Sequence, residues 1–208
     1  MRIVSGQALA QALVLIAYPV ICHFAMVRSD PKLQLIALVV MGVGLNFKGL
    51  CKLNAVSWGL MLLILGLIMG IHLLDLTRVA LYLPPILLPL LLWGVFYSTL
   101  GAGQIPLVTQ IATAARGELS QTMQDYTRGV TLMWAWVLAL LSLGAAVLPL
   151  FASAAVWSAM TNLLNWALVC ALFIGEFCYR QWRFKQLEHP SFWRYLQIVI
   201  QADIRRPG

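Results

Sequence analysis

Long runs of apolar residues dominate the chain, and charged residues interrupt them only at intervals. Six runs approach or exceed the ~20 residues that an α-helix needs to cross a bilayer. They lie at about 7–27, 33–47, 54–74, 79–100, 130–150 and 154–177. Because apolar positions within the runs are continuous rather than alternating, they predict helices and not barrel strands. The sequence therefore predicts an all-α membrane protein, with six transmembrane helices in one domain over residues 1–208.

Two further segments, at about 105–126 and 191–203, show helical periodicity instead of continuous hydrophobicity. In the first segment one helical face is apolar, with Leu107, Val108, Ile111, Ala112 and Ala115. Its opposite face holds Thr109, Gln110, Thr113 and Arg116. A second stripe in this segment consists of Leu119, Met123 and Tyr126, and the stripe after Pro190 consists of Phe192, Tyr195, Leu196 and Val199. This pattern predicts short amphipathic helices along the cytoplasmic membrane surface, or helices that only close that end of the bundle.

The composition agrees with a membrane protein. Of the 208 residues, 62% are apolar and 10% are charged, and the mean hydropathy is +0.87. Soluble domains carry about a quarter charged residues, so the composition excludes an ordinary soluble fold and a disordered tail. A net charge of +7 in such a chain indicates membrane topology rather than nucleic-acid binding.

Basic residues are unevenly distributed between the two predicted sides of the membrane. Eleven of the fourteen lie on the side that holds both termini: Arg2, Lys48, Lys52, Arg116, Arg128, Arg180, Arg183, Lys185, Arg194, Arg205 and Arg206. The opposite side holds Arg28, Lys32 and Arg78. Because cytoplasmic loops are enriched in Lys and Arg, both termini are predicted to be cytoplasmic.

A histidine and a carboxylate lie near the non-cytoplasmic end of the third span. His72, Asp75 and Arg78 are spaced by three residues, which places them on neighbouring parts of one helical face. A carboxylate beside an imidazole orients it for general-base catalysis, and His23 is predicted at the same depth. His72 and Asp75 are thus the catalytic candidates. The alternative is that these charges only meet the lipid head groups.

Polar side chains also interrupt the last span. Asn162 and Asn165 lie within its apolar run, and Glu176 lies close to its cytoplasmic end. Polar groups at such depth normally face the interior of the protein. Glu176 is placed to pair with Arg180 one turn on; alternatively, Asn165, Glu176 and Arg180 border a cleft for a lipid or acyl head group.

The fourth span contains Pro84, Pro85 and Pro89. Each proline removes a backbone donor, so this helix is predicted to be kinked or partly unwound. The bend either lines a substrate path or only serves packing. The chain has no phosphate-binding loop, nucleophile elbow or zinc motif, so no cofactor and no metal are predicted.

Two stretches resemble a family of small membrane proteins encoded in aryl-polyene-type pigment clusters of Gram-negative bacteria. They are PLVTQIATAARGELSQTMQDYTRGVTLMWAW at 106–136 and VWSAMTNLLNWALVCALFIGEFCYRQWRF at 156–184, together about a third of the chain. The matching elements are Pro106-Leu107, Thr109, Gly117-Glu118-Leu119, Tyr126-Thr127-Arg128, Thr131, Trp134, Trp157, Asn162, Glu176 and Tyr179-Arg180. The resemblance implies a location in the bacterial inner membrane and work on an acyl or polyene lipid.

The resemblance and the basic cytoplasmic side together give the leading hypothesis. It is an accessory protein of aryl-polyene-like lipid assembly or transfer that binds a lipid or acyl intermediate on the cytoplasmic side. Membrane lipids are the expected partners, together with an acyl carrier protein or another biosynthetic protein; nucleic acid is not. The predicted binding residues are Glu118, Tyr126, Arg128, Asn162, Asn165, Glu176 and Arg180. The alternatives are a membrane-embedded acyl or glycosyl transferase and a small lipid transporter or flippase component.

Overall fold

The computed structural model describes residues 6–184, without the side chains of residues 8 and 9. This part of the chain is helical and contains no strand. The predicted amphipathic segment at 191–203 lies outside the described residues. So do five of the basic residues used above: Arg2, Lys185, Arg194, Arg205 and Arg206.

The helices follow one another with short connections. They are α1 (Gly6–Arg28), α2 (Pro31–Cys51), α3 (Ala55–Leu73), α4 (Thr77–Ala80), α5 (Leu83–Ser98), α6 (Leu107–Arg116), α7 (Gln121–Val147), α8 (Ala154–Ala159) and α9 (Asn165–Arg183). A 3-10 turn, Leu148–Leu150, follows α7, and a π-helix, Met160–Leu164, joins α8 to α9.

Six helical segments are long and apolar enough to cross a membrane, as the sequence predicts. They are Ala10–Arg28, Pro31–Cys51, Ala55–Leu73, Thr77–Ser98, Gln121–Leu150 and Ala154–Arg183. The last two are 30 residues each and exceed the predicted runs at 130–150 and 154–177. Backbone hydrogen bonding continues a helix beyond its apolar part, so hydropathy alone underestimates its length.

The fourth span is interrupted, as its prolines predict. A turn at Leu81 and Tyr82 separates α4 from α5. Pro84 and Pro85 then lie in the first turn of α5, where a missing N–H leaves no helical hydrogen bond unmade. The break therefore lies on the N-terminal side of the prolines.

The described residues form two compact units. The first unit contains residues 6–87 and 143–167, and the second contains 88–142 and 168–184. In the first unit, α1 packs closely along α2, and the buried core includes Tyr18, Cys22, Met26, Leu81 and Trp157. Gly49 of α2 has no room for a Cβ because Ser57 of α3 occupies that space.

Trp157 is the largest fully buried side chain of the first unit, with 0% exposure. Its indole N–H donates to the carbonyl of Ala145 over 2.9 Å. In a continuous helix that carbonyl would accept from residue 149, but residue 149 is proline and has no N–H. Trp157 thus supplies the donor that Pro149 lacks, and its ring packs against Tyr82 with centroids 4.3 Å apart.

Tyr18 carries a buried hydroxyl whose neighbour is the Cys22 thiol one helical turn on, and the two make no well-formed hydrogen bond. The residue is 7% exposed. Because a thiol is a weak hydrogen-bond partner and a poorly satisfied buried hydroxyl is destabilising, we expect Tyr18→Phe to raise the free energy of unfolding by up to about 1 kcal/mol. Thermal unfolding of the purified protein in detergent measures this, with the exposed Tyr97→Phe as control. A loss of stability would show that the Cys22 thiol, or a bound water, satisfies the hydroxyl.

Threonine hydroxyls hold α6 in the second unit. Pro106 precedes α6 and provides no side-chain cap. Instead, the N–H of Leu107 donates to Oγ1 of Thr99 over 3.0 Å, and the N–H of Val108 donates to Oγ1 of Thr131 over 3.2 Å. These are two of the four N–H groups that a helix leaves unpaired at its start, so the turn after α5 and the helix α7 together cap α6.

The structure of residues 105–126 differs in two ways from the two short amphipathic helices that the sequence predicts. Thr109, expected on the polar face of α6, is buried, and its hydroxyl lies 2.7 Å from that of Thr127. Residues 121–126 form the first turns of α7 rather than a separate short helix. The reason for the first difference is tertiary, because a threonine hydroxyl can be buried when a second hydroxyl satisfies it.

Candidate functional site

An open groove of about 460 Å³ lies between α7 and α9 in the second unit. Its lining is Asp125, Tyr126, Gly129, Val130, Met133, Ala171, Leu172, Gly175, Glu176 and Tyr179. We call it the α7–α9 groove. The volume falls within the ~300–1,000 Å³ of small-molecule sites. On each helix the lining spans eight residue steps, so the groove is about 12 Å long.

Glycines widen the groove on both sides. A Cβ added at Gly129 of α7 or at Gly175 of α9 would meet no atom within 4 Å. Neither glycine is therefore required for close packing between the helices. Their lack of a side chain leaves a space that a chain-like apolar ligand can occupy.

One end of the groove is polar. The Tyr126 hydroxyl donates to Oε1 of Glu176 over 3.1 Å, and Nε of Arg180 lies 3.5 Å from the same oxygen. The Glu176 side chain is 7% exposed and that of Arg180 is 15% exposed. The predicted pairing of Glu176 with Arg180 is confirmed, because their spacing of four places them on one face of α9.

Aromatic rings surround this polar end. The Tyr126 and Tyr179 rings stack at 6.0 Å between centroids, and Phe184 meets the Tyr126 ring edge-on at 5.2 Å. Ring contacts thus orient the phenol that binds Glu176. Further along the second unit, Trp134 packs against Phe173 at 5.3 Å.

Arg116, the last residue of α6, feels the charge of Arg180. Partial burial lowers the pKa of Arg116 below its ordinary value, and the positive charge of Arg180 lowers it further. Neither arginine belongs to the lining of the groove.

Glu118 and Arg128, two further predicted binding residues, do not line the groove. Glu118 lies exposed in the turn between α6 and α7. Arg128 is exposed, and its Nη2 donates to the carbonyl of Leu100 over 3.3 Å. A cation bound to a carbonyl just beyond the end of α5 is a common way to cap a helix C-terminus.

Asn162 and Asn165 belong to the first unit and do not line the groove. Asn162 is 2% exposed and donates to the hydroxyl of Ser158 over 3.0 Å. Nδ1 of His23 lies 3.3 Å from the same hydroxyl. Asn162 therefore forms a buried polar cluster with Ser158 of α8 and His23 of α1. Asn162 itself lies in the π-helix, which no sequence signal predicted. Asn165 is half-buried.

The structure does not bring His72 and Asp75 together into a hydrogen-bonded pair within the described residues. Nδ1 of His72 has a long contact of 3.5 Å with Oγ1 of Thr77. Asp75 is exposed and adopts a φ of 56°. The N–H of Asp75 donates to the carbonyl of His72, and the N–H of Leu76 donates to that of Ile71. This pattern is a Schellman motif with Asp75 in the left-handed position.

Asp75 is therefore expected to act as a helix-ending residue. Glycine adopts positive φ without steric penalty, so Asp75→Gly should leave the free energy of unfolding unchanged or raise it by up to about 1 kcal/mol. Leu53 ends α2 in the same way with a φ of 53°, and Leu53→Gly should give the larger gain because leucine has no polar group to stabilise this conformation. Thermal unfolding of the purified protein measures both changes in stability. If Asp75→Gly instead loses cellular function while its stability is unchanged, that result supports the catalytic hypothesis for Asp75.

Sequence reasoning predicted Tyr126 and Glu176 but missed the other eight lining residues, among them Asp125, Gly129, Gly175 and Tyr179. Asp125 and Gly129 are four residues apart, as are Gly175 and Tyr179, so each pair shares one face of its helix. Whether the two faces meet depends on helix packing, which the sequence pattern does not show.

No group of three or more His, Cys, Asp or Glu side chains in residues 6–184 is arranged to hold a metal. Comparisons with protein-family models, curated proteins and solved structures find no match to this chain.

Proposed function

We propose that this chain is an accessory protein of the bacterial inner membrane, with both termini cytoplasmic, that serves the assembly or transfer of an aryl-polyene-like lipid. It binds a lipid or acyl intermediate in the α7–α9 groove. The chain of the ligand lies over Gly129 and Gly175, and its head group lies at Tyr126 and Glu176. The resemblance of 106–136 and 156–184 to the pigment-cluster family supports the choice of lipid.

One observation carries this proposal: a single groove combines an apolar floor with one polar end. Val130, Met133 and Leu172 supply the floor, and the hydrogen-bonded Tyr126 and Glu176 supply the polar end. An amphiphile has the same division. Because buried polar groups in a membrane are destabilising and usually functional, Glu176 is the residue that most strongly favours a ligand site over a packing surface.

Filling the groove tests the proposal. Gly129→Leu and Gly175→Leu add side chains where a Cβ meets no atom, so we expect both variants to fold and to lose binding of a lysophospholipid with a conjugated polyene acyl chain. The polyene absorbance reports binding to the purified protein in mild detergent. Gly144→Leu is the matched control, since Gly144 is equally open, lies in α7 and does not line the groove.

The same variants apply in cells that lack the gene. Wild-type and Gly144→Leu proteins should restore accumulation of the polyene lipid in the membrane, and Gly129→Leu should not. Normal accumulation in the deletion strain would contradict the accessory role. Unchanged probe binding by both groove variants would contradict the ligand site.

A soluble partner on the same side is part of the proposal. Arg116, Arg128 and Arg183 are basic residues of the second unit, and acyl carrier proteins are acidic, so complementary charge favours their encounter. Charge reversal at Arg128 should weaken capture of an acyl carrier protein and reduce the salt dependence of binding. Equal capture by wild type and Arg128→Glu would remove this partner.

A further inference from the structure

We propose that the α7–α9 groove recognises an amphiphile whose head group carries an ammonium cation. This rests on the proposed function, because it names the chemistry of the ligand in the same groove. The lining contains two carboxylates, Asp125 and Glu176, and two phenol rings, Tyr126 and Tyr179, and these four residues occupy one end. The lining contains no basic residue.

The charge of the lining favours a cation. Glu176 is neutralised by its ion pair with Arg180 at 3.5 Å. Asp125 accepts a hydrogen bond at 3.0 Å from Gln121, which is a neutral amide. Within the lining, no basic residue balances the negative charge of Asp125, and a positive head group is its electrostatic complement.

The aromatic rings add to this preference. The faces of Tyr and Phe rings attract cations within about 6 Å, and quaternary ammonium groups are often held by such rings. Tyr126 is held in place by its bond to Glu176, and it stacks with Tyr179, which is 50% exposed. Preorganised rings of this kind bind an ammonium group with little loss of side-chain freedom.

Arg180 suits the phosphate of a zwitterionic head group. It lies one helical turn from Glu176 and does not belong to the lining. A phosphate next to the ammonium group would meet this guanidinium group. The ammonium group is the feature that the lining itself selects, and it occurs in both choline and ethanolamine head groups.

Three lysophospholipids with the same acyl chain separate these contributions. The choline and ethanolamine lipids carry an ammonium group, whereas the glycerol lipid carries the same phosphate without it. Dissociation constants are measured by native mass spectrometry of the full chain in mild detergent. We expect the choline and ethanolamine lipids to bind about tenfold more tightly than the glycerol lipid.

Variants assign the preference to the lining. Asp125→Asn should reduce the tenfold preference to about threefold or less while the glycerol lipid binds as before. The matched control is Asp30→Asn, since Asp30 lies outside the groove and its capping bond to the N–H of Lys32 can be made equally well by asparagine. Equal affinity for all three lipids, or tighter binding of the glycerol lipid, would overturn the ammonium proposal. If Gly129→Leu still abolishes binding in that case, the groove remains a lipid site; if it has no effect, the proposed function fails as well.

Discussion

Replacing Trp157 by alanine is expected to lower the free energy of unfolding by about 3–5 kcal/mol, the range for a fully buried tryptophan. The side chain is 0% exposed, packs on Tyr82 and donates to the carbonyl of Ala145. Its loss leaves a cavity and an unpaired carbonyl within an apolar helical region, where water cannot replace the donor. Chemical or thermal unfolding of the purified protein measures the change. Trp136→Ala is the control, since Trp136 is 64% exposed.

Trp157→Phe separates the hydrogen bond from the packing. Phenylalanine keeps a ring but has no N–H, so this variant should lower stability by about 1–3 kcal/mol. Pro149→Ala restores an N–H four residues after Ala145, and it should recover part of that loss in the Trp157→Phe background. Additive effects of the two substitutions would show that Trp157 does not compensate for Pro149.

The second large effect is expected at Glu176. Glu176→Gln removes the charge that pairs with Arg180, whose side chain is 15% exposed, and weakens the acceptor of the Tyr126 hydroxyl. Breaking a buried ion pair from one side typically lowers stability by about 3–5 kcal/mol. Because this pair keeps some contact with solvent, we expect about 2 kcal/mol, together with loss of lipid binding in the α7–α9 groove.

A double-mutant cycle tests whether Glu176 and Arg180 act as a pair. Glu176→Gln combined with Arg180→Gln should be less destabilising than the sum of the single variants by at least about 1 kcal/mol, since neither charge is then left alone. Tyr126→Phe tests the hydrogen bond from the Tyr126 hydroxyl to Glu176, and it should lower the free energy of unfolding by about 1 kcal/mol. Strict additivity would mean that the 3.5 Å contact contributes little to the fold.

The site was predictable only where its contacts are local. Glu176 and Arg180 are four residues apart, so helical periodicity was enough to pair them. Tyr126 lies fifty residues before Glu176, and nothing in the periodicity of either helix indicates that the two meet. His72 and Asp75 show the converse: their spacing favoured a catalytic pair, but α3 ends between them and Asp75 turns into a left-handed position.

The amino-acid sequence by itself determined the class of protein and its six membrane-crossing segments, because hydropathy and helical hydrogen bonding are properties of short stretches of chain. It also indicated that the proline-containing fourth span is interrupted, but not where the interruption lies. Only the tertiary structure decided which polar groups are satisfied and by what. The capping of α6 by Thr99 and Thr131, the supply of a donor to Ala145 by Trp157, and the groove between α7 and α9 all join residues that are distant along the chain. Such contacts depend on how helices pack, and packing is decided by the shapes of many side chains together rather than by the pattern of any one segment.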